Sequence, residues 1–438
     1  MINNKSYINL NSDIKGKMEN FIDDVYRNIE RKYDKGILNP IYYSDILLLI
    51  SEGYCLLENK QKWEKIGYDI CKAIKQDLES YGVGENDTAM ISGFGYTCFA
   101  VSQYSKRTGN LTRFFDSLNK YLFESVINKA KLFNKLNPET VMMQYDIMVG
   151  LSGSFYYLLD FPWTENEKTE LEEVIFYLVN LTKYHNYKSD SVINFHVTRE
   201  NQYREDEKEG FTNGNLNFGL SHGMLGPLIA LSKSFKLGCV IDGLEESIGE
   251  LFILYEKFKA YKDKIPFWPG QLSLEEYLVG KCKEEHYHLA SSWCYGNISI
   301  ARGLQKVAEN MSWNDKEDIY KKDLINIINQ PVEKYNLYSP SVCHGYSSIL
   351  SLRTFSYMRD RDYGYINNIE DNIEKILKVF EDNNKYIDEH KEALEDENNF
   401  VEGYFEDLSF LQGALGIALA MLSILSEDIQ YGKLLLID

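Results

Sequence analysis

The chain has 438 residues, 44% of them hydrophobic, with 66 acidic against 47 basic side chains and a formal net charge of −19. Length and apolar content suffice for one large core or for two or three domains. The acidic balance repels phosphate backbones and anionic lipid, so nucleic acid and membrane surfaces are poor partners and a basic or neutral partner fits better.

The first residues, Met1 to Lys5, lack a basic region followed by an apolar run, so no secretory signal is expected. The longest apolar stretch, Gly413 to Leu425, is too short to span a bilayer. A cytoplasmic location is expected. Seven scattered cysteines, an odd number, read as free thiols and candidate metal ligands in a reducing compartment, not as a disulfide framework. Only eight prolines, with abundant Leu, Ile, Lys and Glu, favour helices.

Helical periodicity runs through most of the chain. Trp63, Ile66, Ile70, Ala73 and Ile74 share one helix face. So do Ile300, Ala301, Leu304, Val307 and Met311, and again Ile373, Ile376, Leu377 and Phe380. Each reads as an amphipathic helix with a solvated opposite face.

A recurring unit overlies this periodicity: a glycine turn followed by a helix of small and apolar residues. It occurs at Gly93-Phe94-Gly95, Gly150-Leu151-Ser152-Gly153, Gly223-Met224-Leu225-Gly226, Gly296, Gly345 and Gly413-Ala414-Leu415-Gly416, at spacings of 49 to 73 residues. A seventh, degenerate copy is placed near Gly53, after the apolar run Ile46 to Ile50. Such spacing holds a helical hairpin plus loops. Glycines at one end of each unit let helix ends crowd a central axis. The expectation is an all-α fold: an α/α toroid of seven hairpins, with inner and outer barrels, as a single domain over residues 1–438. An open solenoid is the alternative. Closure is favoured because the candidate metal ligands lie on different repeats yet must meet at one ion.

Residues 183–218 break the rhythm. Val192, Ile193, Phe195 and Val197 are mixed with polar residues, and the charged run Arg204-Glu205-Asp206-Glu207-Lys208-Glu209 follows. A small β-containing insertion at the mouth of the ring is expected there. Residues 262–290 form a second long connection, and long loops on a rigid scaffold often carry binding function.

The chemistry concentrates in two later turns. Trp293-Cys294-Tyr295-Gly296 and Ser341-Val342-Cys343-His344-Gly345-Tyr346 each open an apolar helical run. Cys294, Cys343 and His344 make three zinc ligands, and three protein ligands with an open fourth position are what a catalytic zinc needs. Cys55, Cys71 and Cys98 fall within apolar runs and read as small core residues; Cys239 and Cys282 have no partner motif.

Together with Ser221-His222-Gly223-Met224-Leu225-Gly226-Pro227, these two motifs resemble those of lanthionine synthetase C-like proteins, the lantibiotic cyclases, in family order. Phe410 to Gly416 resembles the last repeat of that family, and the likeness runs from about Gly93 to Leu425. The resemblance implies a seven-fold α/α toroid with one zinc held by Cys294, Cys343 and His344. It implies acid/base roles for His222 and Asp146 and a place for Tyr295 in the site. It also implies a dehydrated lantibiotic precursor peptide as partner, with residues 183–218 where the leader would bind. A dehydratase and an ABC transporter are the further partners it suggests, in a membrane-associated complex.

Read by themselves, Asp146 is also a helix cap before Gly150 and Tyr295 also a turn-filling aromatic. The family often has arginine four residues before the first zinc cysteine; here that residue is Ala290, with His286 and His288 nearby in sequence. The implied reaction is Michael addition of a peptide cysteine to dehydroalanine or dehydrobutyrine, giving a (methyl)lanthionine thioether. The rival readings are a non-catalytic peptide scaffold, a zinc-dependent prenyltransferase-like toroid, which would need basic residues for a diphosphate, and an α/α-toroid glycosidase, which would need a partner carboxylate for Asp146.

Overall fold

The computed structural model describes residues 7–84, 87–136, 140–396 and 405–438. Met1 to Lys5, the stretch bearing on a secretory signal, lies outside them. Among the described residues, seven helices form an inner barrel: Tyr43–Gly53, Phe94–Thr108, Leu151–Leu158, Leu225–Lys236, Asn297–Asn310, Tyr346–Asp360 and Ala414–Leu425. Seven further helices alternate with them along the chain and wrap outside: Ser12–Asp34, Lys60–Tyr81, Thr112–Lys135, Glu165–Asn180, Leu244–Lys257, Asn314–Ile328 and Ile369–Asp396. The fold is the expected α/α toroid.

Closure comes from the chain's two ends. The last inner helix, Ala414–Leu425, packs on the first inner helix, Tyr43–Gly53, and takes as its outer partner the first helix of the chain, Ser12–Asp34. Outer helices follow the amphipathic expectation: Lys60–Tyr81 buries Trp63, Ile66, Ile70 and Ile74 and leaves its other face in water. Inner helices do not. Asn297–Asn310 is buried all round from Asn297 to Ala308, so the face opposite Ile300 and Leu304 is not solvated. Its Arg302 donates from Nε (3.1 Å) and Nη2 (3.0 Å) to the Ile437 carbonyl. A helix enclosed between an outer barrel and an axial segment has no water-facing side, so its polar groups must find partners inside. That axial segment is Tyr431–Asp438, on which Trp293, Ser351 and Tyr156 also converge.

Inner helices begin where the glycine turns predict, with N-caps at Gly93, Gly150, Gly296, Gly345 and Gly413. The first repeat differs from expectation. The run Ile46–Ile50 lies within the helix Tyr43–Gly53, so Gly53 ends the helix and does not open one. Its start is set instead by the 3-10 turn Pro40–Tyr42.

The irregular segments form three two-stranded antiparallel pieces. Tyr184–Tyr187 pairs with Asp190–Ile193, Asn215–Asn217 with Gln271–Ser273, and Ala260–Lys262 with Ile265–Phe267. The second pairing joins the 183–218 segment to the 262–290 connection. Val192, Ile193, Phe195 and Val197 are buried, whereas Glu205–Gly210 is a short helix with no buried residue. No helix among the described residues is long and apolar enough to cross a membrane.

Candidate active site and metal centre

All seven inner helices present their N-termini to one end of the barrel, where a cavity of about 930 Å³ opens. Its lining draws on the entry of every inner helix: Asp45, Tyr96, Met148, His222, Cys294, Cys343 and Leu411 each come from a different repeat. Two turns need glycine for close approach. A Cβ on Gly296 would lie 2.0 Å from the Ser292 nitrogen, and one on Gly345 would lie 2.2 Å from the Ser339 carbonyl oxygen. No L side chain fits at those distances, so the glycines fold Cys294 and Cys343 tightly over the helix starts.

Backbone hydrogen bonds stitch successive turns into a girdle. Met90 N–H donates to Met148 O (2.9 Å), Ile147 N–H to Ser221 O (3.3 Å), and Leu220 N–H to Cys294 O (2.8 Å). Ser291 N–H reaches Tyr335 O (2.9 Å), and Cys343 N–H reaches Leu411 O (2.9 Å). Between the last repeat and the first the link is a side chain: Phe410 N–H donates to Asp45 Oδ1 at 2.7 Å. The first and second repeats are joined by Tyr96 O–H donating to the same oxygen at 3.0 Å.

Cys294, Cys343 and His344 meet at the centre, with their ligand atoms within 4.8 Å of one another. Cys294 Sγ lies 2.7 Å from Cys343 Sγ. His344 Nε2 lies 3.3 Å from Cys343 Sγ and 4.0 Å from Cys294 Sγ. Both sulfurs are buried while His344 is exposed to the cavity. Two thiols and an imidazole, closed behind and open in front, are the donor set and shape a zinc ion with an exchangeable fourth ligand requires. By themselves the thiols divide their protons unequally. Burial and then Cys343 push the Cys294 thiol up; the bond from Cys294, then His344, hold the Cys343 thiol down. Two turns forty-nine residues apart thus bring the three donor atoms together, and a metal bound there would displace the thiol protons.

His222 stands beside this cluster with its ring partly open to the cavity. Its Nδ1 is 2.6 Å from Asp146 Oδ2. Asp146 is fully buried, and its other oxygen accepts from Val149 N–H (2.9 Å) and Gly150 N–H (2.7 Å). Asp146 therefore caps the turn before Leu151–Leu158 and orients His222 at once. A carboxylate at Nδ1 keeps the proton there and leaves Nε2 as the working nitrogen. Tyr295 accepts at its hydroxyl from Asn217 Nδ2 (3.1 Å), and burial pushes its phenol up to about 12, so it stays protonated.

The two histidines near Ala290 separate. His286 Nδ1 is committed to Glu276, 2.9 Å from both carboxylate oxygens. His288 faces Tyr295, ring centroids 6.2 Å apart, and burial, then His344, push it down, so it is neutral near pH 7. Among the described residues lining the cavity, Arg204 is the one Lys or Arg side chain; it is exposed and forked onto Asp206 at 2.9 and 2.5 Å. Asp45, Tyr96, Asn217 and Met142 also line or brace the site, and the sequence reading did not single them out. Asp45 had a usable signal: a carboxylate beside the apolar run Ile46–Ile50 needs an internal partner. Cys55 departs from expectation. It is exposed, because it falls in the turn after Gly53 and not on the helix face; Cys71, Cys98 and Cys282 are buried and Cys239 half-buried.

The comparisons with known proteins agree with this architecture. A model of the family "Lanthionine synthetase C-like protein" matches residues 45–436. The nisin biosynthesis protein NisC of Lactococcus lactis subsp. lactis is 25% identical over 347 residues, covering 78% of this chain and 79% of that protein. The solved structure of a nisin cyclase superposes with a TM-score of 0.77 at 21% identity, covering 96% of this chain and 98% of that one, a likeness of fold. With the family match extending over most of the toroid and over every turn that lines the cavity, the chain belongs to the lanthionine synthetase C-like family.

Proposed function

We propose that this chain is a zinc-dependent lantibiotic cyclase that joins cysteine thiols of a precursor peptide to dehydroalanine or dehydrobutyrine, closing (methyl)lanthionine rings. The observation that carries this reading is the convergence of Cys294, Cys343 and His344 with the His222–Asp146 pair in one cavity of a lanthionine synthetase C-like toroid.

A free thiol has a pKa of about 8.5, so its nucleophilic form is scarce at neutral pH. Zinc, when bound, supplies the remedy by stabilising a coordinated thiol as thiolate. Cys294, Cys343 and His344 would hold it, and two thiolate ligands would keep the site electron-rich. Seven inner-helix N-termini point at the cavity, and their partial positive charge favours the anionic sulfurs. His222 moves the proton. The thiol loses a proton, the sulfur–Cβ bond forms as the Cα=Cβ π bond breaks, and Cα gains a proton, so His222 Nε2 can accept the thiol proton and return it to Cα. Asp146 fixes the tautomer for both directions. Tyr295 is a neutral donor that steadies charge developing on the substrate carbonyl. Arg204, at the rim, is the group available to offset that charge where position 290 is alanine.

Residues 183–218, with the exposed 204–209 run at the cavity edge, form the extension that receives the peptide. The free thiol ligands fit a cytoplasmic enzyme. A dehydratase and an ABC transporter, in a membrane-associated complex, are the partners this role would bring. A holding role without catalysis is favoured by Ala290 alone. A diphosphate-using enzyme is disfavoured by a lining with Glu207 and Glu285 against one arginine.

The test combines metal analysis with ring closure. One zinc per chain is expected in the wild type and none in Cys343→Ala. A dehydrated precursor should lose its free thiols, read by alkylation and mass spectrometry, only with the wild type. Full zinc in Cys343→Ala would remove the ligand assignment. Zinc-loaded wild type that leaves every thiol free would favour the holding role.

A further inference from the structure

The two halves of the metal centre are held by different means. Cys294 is fixed from the fourth repeat, where Leu220 N–H (2.8 Å) and Ser221 N–H (3.2 Å) both donate to its carbonyl. Cys343 hangs by its own N–H from the carbonyl of Leu411, in the turn that opens the last inner helix. Within that turn Asp407 accepts Ser409 N–H at Oδ1 (2.8 Å) and Ala414 N–H at its carbonyl (2.9 Å), and Gly413 N–H donates to Ser409 O (3.1 Å). The turn's lateral support comes from the far end of the sequence. Asp45 Oδ1 accepts Phe410 N–H at 2.7 Å, one residue before Leu411. Tyr96 donates to the same oxygen, and its ring stacks on Phe410 with centroids 6.2 Å apart and planes 19° apart. The Phe410 backbone and ring are thus clamped together from the first and second repeats.

From this geometry we infer that Asp45 is a positioning residue for the Cys343–His344 arm of the metal centre, acting through Phe410 and Leu411. The proposal rests on the reading that Cys294, Cys343 and His344 bind a metal ion. Asp45 lines the same cavity yet is 7% exposed. Its role is that of a hydrogen-bond acceptor and not of a charge. Phe410 N–H and Tyr96 O–H both donate to its Oδ1, so a neutral amide oxygen at the same place should serve. If Asp45 only closed the ring for stability, the loss would not single out the metal. Partners hydrogen-bonded directly to metal ligands typically contribute about 10–100-fold in affinity, which sets the scale of the loss expected here.

The experiment measures zinc affinity by competition with a chelating indicator, and the absorption of the cobalt-loaded protein, in which thiolate and d–d bands report ligand geometry. Wild type, Asp45→Ala, Asp45→Asn and Glu52→Ala are compared; Glu52 sits buried at the opposite end of the same helix. Asp45→Ala should bind zinc about 10–100-fold more weakly, with shifted cobalt bands. Asp45→Asn should restore both, and Glu52→Ala should leave both unchanged. Wild-type affinity in Asp45→Ala overturns the proposal. So does an Asp45→Asn as weak as Asp45→Ala, or a Glu52→Ala that loses as much. Should Asp45→Ala not fold, Tyr96→Phe decides: it keeps the ring stack, removes the hydroxyl, and must weaken zinc measurably. A wild type that binds no zinc would instead sink the metal reading itself, a result distinct from all of these.

Discussion

At the scale of single residues, the proposed function divides the cavity into groups that hold and a group that moves protons. In the proposed reaction His222 is the group that moves the proton: its Nδ1 is pinned at 2.6 Å by a fully buried carboxylate, while its ring edge reaches the cavity. The expected outcome for His222→Ala is full zinc content with ring closure slowed by about 10²–10⁴-fold, the usual worth of a positioned acid/base. Zinc analysis and the alkylation assay check both halves. A second residue-scale expectation concerns Glu52, on the same helix as Asp45 but at its other end. Glu52 is 2% exposed, accepts from Gln430 N–H at 2.8 Å, and leaves Oε1 without a partner. Burial pushes its carboxyl from 4.5 to about 8. The native state therefore holds this proton more tightly than the unfolded chain does. Its contribution to stability is complete below about 4.5 and is lost as pH rises through about 8, a swing on the order of several kcal/mol. Glu52→Gln cannot ionise, so its Tm should gain on the wild type between pH 5 and pH 9. A Tm difference that stays constant with pH would contradict the buried-carboxyl account.

At the scale of elements, the inner helices and the irregular extensions do different jobs. The turns that open the inner helices are rigid because backbone donors and acceptors of neighbouring repeats are matched around the girdle. The 204–209 run is its opposite: exposed, charged, and tied mainly by surface pairs such as Arg204–Asp206 and Lys208–Glu205, which are worth little in water. Its deletion should leave zinc content and Tm near the wild type while weakening binding of the precursor peptide, measured by calorimetry or fluorescence anisotropy. Unchanged affinity would remove this segment from the peptide path.

At the scale of the molecule, the ring depends on its two ends meeting. The helix Ser12–Asp34 buries Met18, Phe21, Ile22, Val25, Tyr26 and Ile29 against the last inner and last outer helices. At about 1.5–3 kcal/mol for each large apolar side chain, that face is worth roughly 10 kcal/mol, the size of a whole domain's stability. Removing residues 1–35 should therefore abolish cooperative unfolding and not merely lower the Tm. Circular dichroism melts would show it, and a sharp transition within a few degrees of the wild type would count against closure by this helix.

The sequence by itself determined the repeat, because glycines that must admit close approach and helices that must bury an apolar face leave marks at fixed intervals. It also determined the metal ligands as candidates, since few cysteines occur and two of them sit in matched turns. It misplaced the first repeat, where a 3-10 turn does the work of a glycine, and it described Asn297–Asn310 as half-solvated because periodicity does not tell a surface helix from an enclosed one. It passed over Asp45, whose meaning depends on Phe410, 365 residues away. Only the tertiary structure decided that pairing, together with His222 on Asp146 and Cys294 on Cys343. The physical reason is common to all three: periodicity records which face of a helix is buried, whereas a hydrogen bond between repeats depends on how the ring closes.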